Sequence, residues 1–118
     1  MSTSTMSAPL TLNLPQGSLR FTFSSEAAQG LKADLGELMS TLKAAAATQG
    51  GEPTRRTPQP PMEYRHTGDV FLEVFCNPNI WPSPFAAKVL VTLRDDRIRV
   101  TTEAELSQIY EDINAYLE

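Results

Sequence analysis

A chain of 118 residues with 41% hydrophobic content has material for one modest core, which excludes a second globular domain. A net charge of -4 and a pI near 5.0 exclude broad non-specific attraction to nucleic acid or anionic lipid and leave room only for local patches. The single cysteine, Cys76, excludes an intramolecular disulfide, and its place in the apolar run VFLEVFC reads as a buried, reduced thiol in a reducing compartment.

The amino end, MSTSTMSAP, has no basic residue and no apolar run long enough for a secretory leader, and nowhere do about 18 consecutive apolar residues occur. Residues 1–9 therefore read as a disordered tail, and the protein as cytoplasmic, with no membrane partner. Residues 10–118 read as a single α+β domain. Leu10, Leu12 and Leu14 alternate with polar residues, as do Leu19, Phe21 and Phe23, with PQGS between them. That is a hairpin, and a four-residue loop would set Leu14 opposite Leu19, Leu12 opposite Phe21 and Leu10 opposite Phe23.

A helix follows, with Ser24 or Ser25 as N-cap, Glu26 in the first turn, and Leu31, Leu35, Leu38, Met39 and Leu42 as one apolar stripe. Gly30 and Gly36 each weaken it by about 1 kcal/mol relative to Ala, so it depends on tertiary packing. The helix should end at Gly50-Gly51. Residues 48–61, TQGGEPTRRTPQPP, have the composition of a flexible connector.

In DVFLEVFC, Val70, Leu72, Val74 and Cys76 share one parity and Phe71, Glu73 and Phe75 the other, the pattern of a central strand. The loop NPNIWPSPF, Asn77 to Phe85, combines three prolines with Ile80, the only tryptophan and Phe85. Either Trp81 and Phe85 fold back over the sheet end, or the stiff loop presents them as interface anchors. AKVLVTLRDDRIRVT then reads as a second hairpin, with a two-residue Asp95-Asp96 turn setting Leu93 opposite Ile98 and Val91 opposite Val100. The last helix opens on a capping box of Thr102 and Glu105 and buries Leu106, Ile109, Tyr110, Ile113 and Leu117.

The order β-β-α, connector, β-β-β-α predicts an α+β fold: a mainly antiparallel sheet of about five strands with both helices on one face. The chemistry of nucleophilic catalysis is thinly represented. His66, read as an exposed loop residue, and Cys76 are the sole members of their kinds, so neither a catalytic triad nor a zinc site can be assembled. Asp95-Asp96 reads as a turn and Glu111-Asp112 as a solvated helix face, and Gly50-Gly51 lacks the context of a phosphate loop. The reading is therefore of a protein that is not an enzyme and has no metal or cofactor.

Parity also defines an outer sheet face. With Val70, Leu72, Val74, Val89, Val91, Leu93, Ile98 and Val100 turned to the helices, the other side carries Phe71, Glu73, Phe75, Lys88, Leu90, Thr92, Arg94, Arg97 and Arg99. Aromatic and aliphatic side chains on a solvated face mark a docking surface. The partner-binding candidates are Phe71, Phe75, Ile80, Trp81, Phe85, Arg94, Arg97 and Arg99. The leading reading is a small adaptor that binds another protein or a second copy of itself. Nucleic-acid binding on the same face is the alternative, opposed by the acidic net charge and by the want of an RNP-type motif. A small enzyme or metabolite sensor is a third.

The segment VFCNPNIWPSPFAAKVLVTLRDDRIRVTTEAEL resembles small conserved cyanobacterial proteins of unassigned function, over roughly residues 68–117. The resemblance implies a cytoplasmic housekeeping or regulatory role in a photosynthetic bacterium and assigns no functional residue.

Overall fold

The computed structural model describes residues 7–49 and 57–118. They form an α+β fold of six strands and two α-helices: β1 (Ser7–Leu14), β2 (Gly17–Ser24), α1 (Ser25–Gln49), β3 (Met62–Thr67), β4 (Phe71–Cys76), β5 (Lys88–Arg94), β6 (Arg99–Glu105) and α2 (Leu106–Leu117). All pairings are antiparallel. The strands make two sheets rather than one of five: the β1-β2 hairpin, and a four-stranded meander in the order β3-β4-β5-β6. The sixth strand is β3. Its MEYRHT alternates as a half-buried strand does, with Met62, Tyr64 and His66 turned inward, in a region the sequence reading left without an element.

Both hairpins form with the expected faces but a register displaced by two residues. Leu10 pairs with Phe21, Leu12 with Leu19 and Leu14 with Gly17, so the first turn is Pro15-Gln16 alone, closed by Gly17 at φ 156°, a conformation L side chains rarely adopt. In the second, Arg94 pairs with Arg99 and Leu93 with Val100, so the turn spans Asp95 to Ile98 instead of two residues. A two-residue hairpin turn favours positive φ at its centre, and Asp-Asp pays strain there; among the described residues no non-glycine has a positive φ. The wider turn is held by Asp95, whose Oδ1 accepts from the backbone N–H of Arg97 (2.8 Å) and of Ile98 (2.9 Å). These donors, Ile98 first, hold its carboxyl below the usual range. Ile98, expected inside, is consequently 62% exposed.

Helix α1 begins where expected: Ser24 Oγ accepts from Ala27 N at 3.1 Å, and Leu31, Leu35, Leu38 and Leu42 are buried. It runs to Gln49, and the expected Gly50-Gly51 stop lies outside the described residues. Helix α2 starts later than expected. Thr102 pairs with Val91 and Ala104 with Val89, so sheet pairing claims the backbone through Glu105, no capping box forms, and Leu106 N bonds to Ala87 O at 3.1 Å. Its stripe is as read, with Leu106, Ile109 and Ile113 buried and Tyr110 and Leu117 partly so. Strand β1 starts at Ser7, inside the stretch read as a tail, with Ala8 paired to Phe23 and its carbonyl accepting from the Tyr116 hydroxyl at 2.9 Å.

The helix stripes, the hairpin's Leu10, Leu12, Phe21 and Phe23, and the meander's Tyr64, Leu72, Val74, Cys76, Val89, Val91, Leu93 and Ala104 form one core. Polar bonds tie its parts together. Tyr64 Oη donates to Ala27 O (2.9 Å), joining β3 to α1, and Tyr116 Oη also donates to Phe23 O (2.8 Å). Asp112 joins α2 to β1. Its Oδ2 accepts from Asn13 N (2.7 Å), and its Oδ1 from Asn13 Nδ2 (2.9 Å) and Gln108 Nε2 (3.0 Å). The solvated helix face expected at this residue is therefore a buried carboxylate. His66 departs from expectation too: it lies in β3, partly buried, its ring edge-on to Phe23 at 5.1 Å.

Candidate docking surface

Strand geometry alone places the surface. Successive side chains alternate between faces, so the meander's register sorts its residues into inward and outward rows. The inward rows are Met62, Cys76, Val89 and Ala104; Tyr64, Val74, Val91 and Thr102; and His66, Leu72, Leu93 and Val100. Leu72, Val74, Cys76, Val89, Val91 and Ala104 are essentially inaccessible. The valine-rich parity therefore turns inward, as read from the sequence.

Between them lie the outward rows Glu63, Phe75, Leu90 and Glu103; Arg65, Glu73, Thr92 and Thr101; and Thr67, Phe71, Arg94 and Arg99. Phe71 and Phe75 are half-buried and Leu90 is 43% exposed. These three side chains take no part in the core. The Arg94 guanidinium lies 4.3 Å from the centre of the Phe71 ring, a cation-π contact that shields that ring. Arg65 Nε donates to Glu73 Oε2 at 3.0 Å across β3 and β4. At opposite ends of the face the charges differ in sign: Arg94 and Arg99 pair directly at one, whereas Glu63 and Glu103 flank Phe75 and Leu90 at the other.

The predicted candidates thus divide. Phe71, Phe75, Arg94 and Arg99 share the outer face, and Arg97 stands at its basic end in the β5-β6 turn. The Asn77 to Phe85 loop belongs elsewhere. Asn77 caps a short 3-10 turn, Pro78–Ile80, by accepting from Asn79 N (3.0 Å), and that turn packs against α1 on the helix side. Asn79 then pins the end of the connector, accepting from Gln59 N (2.8 Å) and donating to Gln59 O (2.9 Å). Pro78 and Pro84 are buried. Trp81 packs on the core as a lid. Burial pushes the Cys76 thiol up to about 11, and a hydrogen bond with the Trp81 side chain pulls the other way. Ile80 and Phe85, by contrast, are 58% and 79% exposed.

Sequence reasoning missed the β3 contributions to the face, Glu63, Arg65 and Thr67, although the alternation in MEYRHT is their signal. A cleft of about 350 Å³ between α1 and residues 59–63 is lined by Asp34, Glu37 and Glu63 among others. Burial, and then the neighbouring Glu37, raise the Asp34 carboxyl. Among the described residues no histidine, lysine or cysteine lines the cleft. Among the described residues no cluster of three or more His, Cys, Asp and Glu is placed to hold a metal ion, and no helix is long and apolar enough to cross a membrane. No family model, curated protein or solved structure matches the chain.

Proposed function

We propose that the chain is a small, non-catalytic interaction module or adaptor of the cytoplasm, docking another protein or a second copy of itself through the outer face of the four-stranded meander. The observation that carries this reading is the run of Phe71, Phe75 and Leu90 on a sheet face outside the core, bordered by charge. Removing apolar surface from water contributes about 25 cal/mol per Å², against which the entropy lost on association is set, and the surrounding charges give orientation more than affinity. Ile80 and Phe85, exposed on the helix side, stand apart from this face.

Photo-crosslinking tests it. A crosslinking residue at position 90 should give a defined protein adduct in cells, whereas one at exposed Lys43 on α1 should not. No adduct specific to position 90 would sink the reading. Adducts to RNA, with retention on a nucleic-acid column that falls steeply with salt, would transfer the face to the nucleic-acid alternative.

A further inference from the structure

Along β6, and in the positions just beyond the outer face, the charges complement their own reverse. One end of the face carries Glu63 and Glu103, with Lys88 and Glu105 beyond them, and the other carries Arg94 and Arg99, with Asp95, Asp96 and Arg97 beyond in the turn. Like charges in adjacent positions are unfavourable within one chain. The ion pair on the face, Arg65 with Glu73, lies in its middle row.

We infer that the occupant of this face is a second copy of the chain, stacked face to face about a two-fold axis that runs across the strands through the middle row. This deepens the adaptor reading and rests on it. A two-fold contact is self-complementary: if residue i meets j, then j meets i. Reversal about that axis superimposes each strand on itself and exchanges the ends of the face. Glu103 then meets the second copy's Arg99, Glu63 meets its Thr67, and Phe75 meets its Phe71 beside the guanidinium that covers that ring. Leu90 lies along the aliphatic stem of the second copy's Arg94. Glu105 and Lys88 approach the turn that carries Arg97 and Asp96. On the axis the middle row meets itself, so Arg65 and Glu73 each face their own copy, a repulsion that the Arg65–Glu73 ion pair within each chain offsets, and Thr92 is small and buried.

The other in-plane axis, along the strands, sets Glu63 on the second copy's Glu103 and leaves Arg99 facing Thr67, so charge selects the first. A four-stranded face of this length covers roughly 450 Å² per copy at a strand spacing of about 4.8 Å and a rise of about 3.3 Å per residue. That is the low end for specific contacts, so the dimer is a weak one.

Sedimentation of the full chain over a dilution series from millimolar to micromolar is the test. The wild type should pass reversibly from dimer to monomer, more readily at high salt. Arg99→Glu should weaken association about tenfold, since it turns two symmetry-related attractions into repulsions, and Arg99→Glu with Glu103→Arg should restore it. Urea midpoints of the variants guard against misfolding. A wild type monomeric throughout, or a dimer indifferent to Arg99→Glu, overturns the inference. If a monomeric wild type still gives a position-90 adduct with a different protein, self-association alone has failed; if it gives none, the adaptor reading has failed with it.

Discussion

At Asp112 a single carboxylate joins the last helix to the first strand, accepting both the backbone and side-chain N–H of Asn13 and bracing against Gln108 from its own helix. Removing it deletes two charge-assisted hydrogen bonds from Asn13, each stronger than a neutral one, although the exposed Asn13 can turn to water in their place. Asp112→Ala should therefore lose about 2–3 kcal/mol in urea denaturation, with Asp112→Asn intermediate. An equal midpoint for Asp112→Ala and wild type would contradict this account. The residue looked solvated because helical periodicity ranks positions by neighbours on the same helix, whereas its partner is 99 positions away. Nothing near Asp112 in the chain announces Asn13.

Among the elements, the proline-rich loop shows how local stiffness and tertiary position divide the work. Asn77, Pro78 and Asn79 build a capped turn from residues within the loop, which is why its order was legible. Whether its aromatics point inward was not, because that depends on α1 and the connector arriving from elsewhere. Trp81→Ala should destabilise by roughly 2 kcal/mol and speed the reaction of Cys76 with a thiol reagent, because it uncovers that edge of the core. Phe85→Ala, at an exposed position, should stay within about 0.5 kcal/mol of wild type. Reversed rankings in these two measurements would make Phe85, not Trp81, the lid. The hairpins teach a related lesson. Their registers moved by two residues, a full side-chain period, so every face assignment within the strands survived while the turns changed length.

Across the whole molecule, burial of two weak acids ties stability to pH. Desolvation pushes Tyr64 up to about 12, with Asp34 adding to the shift, and Cys76 up to about 11, from ordinary values of 10.0 and 9.0. Each group holds its proton more tightly when folded. The stability this brings is fully present below the unfolded values and is lost as pH rises through the folded ones. The urea midpoint should therefore be level with respect to these groups up to about pH 9 and fall between about pH 9 and 12, less steeply in Tyr64→Phe. A midpoint that rises over that window would show that neither group is desolvated as described.

The α+β class, both hairpins, the two helices and the inward valine parity follow from the sequence by itself, because period-two and period-3.6 patterns are set by local backbone geometry. Tertiary structure decided what periodicity cannot encode. It recruited MEYRHT as an edge strand, split the strands into two sheets, and carried β6 through the expected capping box. It also drew the 3-10 turn away from the outer face and onto α1. Each of those outcomes turns on which distant backbone offers a partner for a hydrogen bond or a surface to bury against, and that is settled only when the chain closes on itself.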